Sequence, residues 1–96
     1  MPAGHHVETS SHFERDFRKL ARRHPEVIEH FEHALGILAT DPYNRTQSHP
    51  IKKLRGVPAG DGQYRLRFGR FRFRYDVVDR VVYLKAVALR SEATYR

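Results

Sequence analysis

The sequence predicts an α+β fold: a short N-terminal strand and an antiparallel helical hairpin precede a three- to four-stranded antiparallel sheet, with the helices on one face. Two patterns support this order. Apolar residues recur at helical spacing in the first half of the chain and alternate with polar residues in the second half. The chain has 96 residues, which suits a single core, so residues 1–96 are predicted to form one domain.

The first half of the chain contains a short extended segment and two helices. The segment HHVETS is the candidate first strand. Ser11 and Glu14 have the spacing of a capping box, which predicts that the first helix begins at Ser11. Pro25 divides this helix from a second one, because proline disfavours helical geometry in the residue before it and suits the first turn of a new helix. Pro42 ends the second helix.

The second half contains the remaining strands. The segment IKKLRG is a candidate short edge strand. Residues 64–68 and 71–77 alternate aromatic or aliphatic side chains with polar ones, and Gly69-Arg70 between them has the character of a tight hairpin turn. The segment VVYLKAVAL, residues 81–89, is apolar on both faces, which predicts a strand inside the sheet.

Positive charge is concentrated in the second half. Residues 1–48 contain six basic and seven acidic side chains, a net charge of −1, whereas residues 49–96 contain twelve basic and four acidic ones, a net charge of +8. Such asymmetry is typical of a surface that faces a polyanion such as nucleic acid. A solvated sheet face, or a surface that covers an acidic protein partner, are the alternatives.

Arginines occupy every second position of the predicted hairpin. Strand alternation places the apolar set under the helices and leaves four arginines on the open face, namely Arg65, Arg67, Arg72 and Arg74. Neighbouring guanidinium groups repel each other, which costs stability unless an anion occupies the site. Arginine holds phosphate bidentately and neutralises charge that builds on phosphorus in a transition state. We therefore interpret this face as an anion-binding surface.

The composition excludes several classes of protein. Without cysteine there is no disulfide, no thiolate zinc site and no cysteine nucleophile, which fits a reducing cytosol. No apolar run reaches the roughly 20 residues that span a bilayer, and the N-terminus lacks a signal-peptide pattern, so we expect a cytoplasmic protein without membrane contact. The seven histidines lack the spacing of a zinc motif, and neither a metal nor another cofactor is expected.

Three segments in succession, IKKLRG, GQYRLRFGRFRFRYDV and VVYLKAVALRSEATYR, follow the helical hairpin and the first strand. This succession resembles the RelE/ParE superfamily of type II toxin–antitoxin toxins, and the resemblance covers nearly the whole chain. In the RelE branch it implies a metal-independent mRNA endoribonuclease that enters the ribosomal A site and inhibits translation. There the 2′-hydroxyl of the mRNA attacks the adjacent phosphate and leaves a 2′,3′-cyclic phosphate.

The resemblance also implies roles for single residues. Arg65 and Arg67 match the two basic positions of the first hairpin strand, where some relatives have lysine, and would bind the phosphate and assist proton transfer. Arg72 and Arg90 would stabilise the phosphate, and Tyr95 would stack on the nucleotide or activate it. General attraction of RNA is expected from five further residues: Lys52, Lys53, Arg55, Arg70 and Arg74.

The sequence departs from the family pattern at the C-terminus. The spacing from Arg90 to Tyr95 differs by about a residue from that of common members, and no histidine or glutamate base is evident, with Glu92 as a bare candidate. The ParE branch keeps the fold but inhibits DNA gyrase without the ribonuclease residues, and a cationic fold without toxicity is a third alternative. The aligned arginines favour RNA cleavage. The implied partners are a cognate antitoxin, in a toxin–antitoxin hetero-oligomer, together with the ribosome and mRNA.

Overall fold

The structure, a computed structural model, describes residues 4–90. Its elements follow the predicted order of a short strand, two helices and a run of strands, and the predicted α+β class is confirmed. Their bounds are β1 His6–Thr9, α1 Ser11–Arg23, α2 Glu26–Thr40, β2 Ile51–Lys53, β3 Tyr64–Phe68, β4 Phe71–Val78 and β5 Val81–Leu89.

The five strands form one sheet in the order β1-β5-β4-β3-β2. Strands β2 to β5 are antiparallel to their neighbours, as predicted, but β1 pairs in parallel with β5, residues 6–9 against residues 81–84. The predicted three- to four-stranded antiparallel sheet corresponds to β2–β5, and the parallel addition of β1 makes the whole sheet mixed rather than purely antiparallel. A four-residue strand carries too little pattern to reveal its partner, and parallel pairing requires a long connection, here the rest of the chain.

The start of α1 agrees with the prediction, but its cap does not. Ser10 is the N-cap, with the extended backbone (φ −82°, ψ 161°) that this position requires, and its Oγ accepts a hydrogen bond from the Phe13 N–H at 3.0 Å. The predicted Ser11–Glu14 capping box is wrong, because the Glu14 carboxylate accepts instead from the Thr9 hydroxyl at 2.5 Å. Two adjacent serines can both cap a helix, and only the backbone direction leaving β1 decides between them.

The helices cover one face of the sheet and form the core with it. Buried helical side chains such as Phe13 and Leu38 meet Leu66, Phe73 and Tyr75 from the strands. The buried Tyr75 hydroxyl donates a hydrogen bond to the carbonyl of Pro42 at 2.6 Å, and burial raises the pKa of this phenol. The alternation that predicted an apolar helix-side face on β3 and β4 is confirmed.

Candidate anion-binding site

The β3–β4 hairpin brings four arginines together on the open face. Arg65 lies opposite Arg74 and Arg67 lies opposite Arg72 in the antiparallel ladder. Residues paired in this way project from the same face of a sheet at close range. Arg67 is exposed, and the other three are partly buried. The predicted cluster therefore exists, and like charges stand directly across from one another.

Two alanines of β5 leave space beside the arginines. Ala88 lies opposite Arg72, and Ala86 lies opposite Arg74. Their small side chains floor a recess of about 210 Å³, lined by Leu54, Arg65, Arg72, Arg74, Ala86, Val87 and Ala88. Sequence reasoning missed the alanines. The signal was present in the small residues that alternate with Val87 and Leu89, but it acquires meaning only once the register with β4 is known.

The recess is electrostatically unbalanced. The Nε atoms of Arg65 and Arg72 are buried and have no hydrogen-bond partner among residues 4–90. Burial, followed by the charges of Arg72, Arg67, Arg74 and Arg90, lowers the pKa of Arg65. A bound anion would supply acceptors for the unpaired N–H groups and would offset the repulsion. The arrangement is therefore suited to a phosphate or another compact oxyanion.

Arg90 joins this cluster from the end of β5. Its backbone N–H donates to the carbonyl of Arg70 at 2.7 Å, and its side-chain charge contributes to the lowered pKa of Arg65. Arg90 is exposed at the rim. The predicted Tyr95, and Glu92 with it, lie outside the described residues.

Arg74 is bound to the loop that precedes β3. Its guanidinium donates to the carbonyls of Asp61 at 2.9 Å and Gly62 at 2.9 and 3.1 Å. The Asp76 carboxylate, two residues farther on β4, accepts from the Gly62 N–H at 2.9 Å and the Gln63 N–H at 3.0 Å. These contacts position the start of β3, which carries Arg65. Several of Arg74's donors are thus used within the protein.

Arg70 points away from the recess. Its Nη2 lies 3.0 Å from Glu26 Oε2 and 3.1 Å from His24 Nδ1, at the junction of α1 and α2. The hydrogen bond from Arg70 contributes to the lowered pKa of Glu26, after the larger effect of a backbone hydrogen bond. The structure therefore does not bring Arg70 together with the other predicted site residues.

The basic residues of the β2 region are divided between the two faces. Lys52 pairs with Arg65 and shares its face. Lys53 pairs with Tyr64, and its Nζ lies 5.7 Å from the centroid of that ring, on the side of the core. Arg55 is exposed in the turn after β2. Of these three lysine and arginine residues, Lys52 alone extends the arginine ladder.

Metal binding and membrane insertion are two further possibilities for the part of the chain that the structure describes. Between residues 4 and 90, no three histidine, aspartate or glutamate side chains cluster in a way that could hold a metal ion. Neither helix in that range is both long enough and apolar enough to cross a membrane.

Chains from three solved complexes are similar in fold to this chain. The chain is similar to a chain of the E. coli DinJ-YafQ complex, with a TM-score of 0.71, 11% identity and coverage of 94% of this chain and 98% of that chain. It is also similar to a chain of the archaeal RelE-RelB complex from Pyrococcus horikoshii OT3, with a TM-score of 0.66, 25% identity and coverage of 93% and 98%. A second structure of the E. coli DinJ-YafQ toxin-antitoxin complex gives a TM-score of 0.69 at 12% identity, with 94% and 97% covered.

The sequence matches no protein-family model and no curated protein. The structural matches nevertheless extend over nearly the whole chain, and both the helical pair and the sheet take part in them. The fold is that of the RelE-like toxins, and the resemblance predicted from the sequence is confirmed at this level.

Proposed function

We propose that this protein is the toxin of a type II toxin–antitoxin system and that it cleaves mRNA on the ribosome. One observation carries the proposal: Arg65 and Arg72 line a recess, their buried Nε atoms have no partner among residues 4–90, and Arg67 lies directly opposite Arg72. The fold supports it, since similar chains come from the RelE-RelB and DinJ-YafQ complexes. A gyrase inhibitor has no need for arginines aligned around a phosphate-sized recess.

The reaction is an internal transfer at phosphorus. The 2′-oxygen of the RNA forms a bond to the adjacent phosphorus as the bond from phosphorus to the 5′-oxygen breaks. A proton leaves the 2′-hydroxyl and another reaches the 5′-oxygen, so the products are a 2′,3′-cyclic phosphate and a 5′-hydroxyl. Arg72 and Arg90 neutralise the charge that builds on the phosphoryl oxygens, and Arg65 and Arg67 hold the phosphate.

The described part of the recess has no conventional acid or base for proton transfer. Among the described residues that line the recess, within positions 4–90, there is no histidine, aspartate or glutamate. Arg65 is the best-placed group to exchange a proton, because burial and the surrounding arginines lower its pKa. An arginine remains a poor base near neutral pH, so the rate depends on a substrate held in a reactive geometry. The ribosome supplies this geometry in the proposed function, and Tyr95 remains a candidate for stacking on the nucleotide.

The proposed partners follow from the charge of the same face. A cognate antitoxin would neutralise the toxin by covering the arginines with an acidic segment, in a hetero-oligomeric complex in the cytoplasm. General attraction of RNA is assigned to Lys52 on the arginine face and Arg55 in the turn after β2, with Lys53 adding charge from the opposite face. Arg70 and Arg74 add charge from positions bonded within the protein.

The test is a reconstituted translation reaction to which the purified protein is added, followed by mapping of mRNA 3′ ends. We expect cuts in phase with codons that disappear when ribosomes are omitted. Intact mRNA, together with loss of supercoiling by DNA gyrase in a parallel assay, would refute the proposal and favour a ParE-like inhibitor. Intact mRNA with active gyrase would indicate a cationic fold without either activity.

A further inference from the structure

A second basic surface lies on α1, on the side of the helix opposite its buried residues. Its members recur at every third or fourth position, and all are exposed: Arg15, Arg18, Lys19, Arg22 and Arg23. The two acidic residues of the helix have other partners, since Glu14 accepts from Thr9 and Asp16 pairs with His12 at 3.1 Å. Between residues 4 and 90, no ion pair joins this α1 stripe to a carboxylate.

The helix dipole explains only part of the α1 stripe. Arg22 and Arg23 lie in the last turn, where positive charge is favoured by the partial negative charge of the helix end. Arg15, Arg18 and Lys19 lie outside the first and last turns, where the helix dipole gives positive charge no such benefit. Like charges three or four residues apart also repel one another along a helix. Helix stability therefore does not account for the positive charge of the stripe.

The α1 stripe is continuous with the arginine recess. A groove of about 280 Å³ runs between α1 and β5, lined by Asp16, Lys19, Leu20, Arg23, Val87 and Ala88. Val87 and Ala88 also line the arginine recess. Lys19 and Arg23 thus stand on one side of Ala88, and Arg72 stands opposite Ala88 on the other.

The edge of β5 that no described strand covers explains why the groove and the arginine recess are connected at Ala88. β1 pairs with β5 only as far as Leu84. Between residues 4 and 90 no strand covers the rest of that edge, and α1 packs beside it instead. Side chains from the open face and from α1 can therefore contact one extended ligand that passes over Ala88.

We propose that Lys19 and Arg23 form a second phosphate-binding site, which holds single-stranded RNA next to the scissile bond as it leaves the recess past Ala88. The inference rests on the proposed function, which makes RNA the substrate. The apolar floor formed by Leu20, Val87 and Ala88 suits the face of an unpaired base, and two flexible cations suit phosphates of any sequence. Continuity with the recess favours RNA, because a strand whose scissile phosphate lies in the recess must continue past Ala88.

The experiment measures binding of uncleavable RNA, with every 2′-hydroxyl methylated, by fluorescence anisotropy. Oligonucleotides of about 4 and about 12 nucleotides distinguish the recess alone from the recess plus the α1 groove. The test variant is Lys19→Gln/Arg23→Gln. The matched control is Arg18→Gln/Arg22→Gln, which has the same spacing, exposure and charge change but lines no part of the groove.

The parent and the control should bind the longer RNA more tightly than the shorter one, and the test variant should lose this gain. Loss of two phosphate contacts lowers the salt slope by about 1.4, so between about 50 and 200 mM salt the parent should lose about sevenfold more affinity than the test variant. An unchanged length gain in the test variant overturns the inference. Equal losses in test and control variants also overturn it, because they indicate an effect of net charge alone.

Two further binding measurements distinguish failure of the α1 inference from failure of the proposed function. If the test variant binds RNA like the parent but loses affinity for poly-glutamate, the groove serves an acidic protein segment and the inference is wrong. If Arg72→Gln leaves binding of the short RNA unchanged, the proposed function loses its phosphate site, whatever the result at α1. If Arg72→Gln weakens the short RNA while the α1 variant does not change the length gain, the proposed function stands and the α1 inference fails.

Discussion

Successive residues of β4 face two different environments. Phe73 and Tyr75 have no exposed surface on the helix side, and the Tyr75 hydroxyl has a hydrogen-bond acceptor. Arg72, between Phe71 and Phe73, faces the open side, where its buried Nε has no partner among the described residues and Arg67 stands directly opposite. On the helix side the Tyr75 hydroxyl is paired within the protein, whereas on the open side the Nε atoms of Arg65 and Arg72 have no partner among residues 4–90.

This difference assigns stability mainly to the helix-side face of the sheet and function to the open face. Natural sequences follow local rules of packing and pairing except where function requires otherwise. The helix-side face obeys those rules, and the arginine ladder breaks them by placing like charges opposite each other. Substitutions on the two faces should therefore act on different quantities, the free energy of unfolding on one face and RNA cleavage on the other.

The largest effect on stability is expected from Phe73→Ala. Removing a fully buried phenylalanine leaves a cavity in the core and should lower the free energy of unfolding by about 3–5 kcal/mol, measured by urea denaturation. Its neighbour variant Arg72→Ala is the control and should not be destabilised. Similar losses in both variants would show that the two faces are not separated in this way.

The largest effect on activity is expected from Arg72→Ala. Loss of a cation that stabilises the transition state should lower the cleavage rate by about 10²- to 10³-fold, and expression of the variant should no longer arrest growth. Arg70→Ala removes the same charge from the helix side of the hairpin, where Arg70 contacts Glu26, and should stay active. If Arg72→Ala protein arrests growth as the parent does, the assigned mechanism is wrong.

A smaller effect of opposite sign is expected from Arg65→Gln. This change removes a partly buried positive charge that the neighbouring arginines repel. The free energy of unfolding of the ligand-free protein should therefore rise by about 0.2–1 kcal/mol. Thermal unfolding in a buffer without multivalent anions measures the gain, and Lys52→Gln, on the same face at the edge strand, is the control. A clear destabilisation would mean that Arg65 has a structural partner.

The smallest expected effect is on the pH dependence of stability, through the hydrogen-bonded Asp41 carboxylate outside the arginine face. The Thr46 hydroxyl, then the backbone N–H groups of Arg45 and Thr46, lower the pKa of Asp41 below its usual value of 3.8. A lowered carboxyl pKa stabilises the fold above the unfolded-state value, and this contribution is lost as pH falls through the folded-state value. The unfolding free energy should therefore fall in acid below about pH 4, and less steeply in Asp41→Asn. Parallel pH profiles would contradict this.

Much of the arginine face could be predicted from the sequence, because strand alternation and the Gly69-Arg70 turn together determine which side chains share a side. Its finer division could not be predicted. Arg70 contacts Glu26, 44 residues away, and Arg74 contacts a loop 12 residues earlier, and neither partner is marked by local pattern. In the sequence Ala86 is indistinguishable from an ordinary strand residue, and only its pairing with Arg74 in the sheet identifies it as part of the recess floor.

The N-terminal elements show the same limit at a smaller scale. Helical periodicity and Pro25 predicted both helices. The choice between Ser10 and Ser11 as cap, and the parallel pairing of β1, depend on how the chain leaves β1 and meets β5. Those are tertiary contacts, and four residues of strand do not encode them in a recognisable form.

The central claim is that the open-face arginines form a site for a phosphate group. Its most direct measurement is the melting temperature of the parent and of Arg72→Gln over a series of inorganic phosphate concentrations at constant ionic strength. An anion that binds the folded state alone stabilises it, so the melting temperature of the parent should rise with phosphate and that of Arg72→Gln should rise much less. Equal increases in both proteins, or no increase in the parent, would contradict the claim.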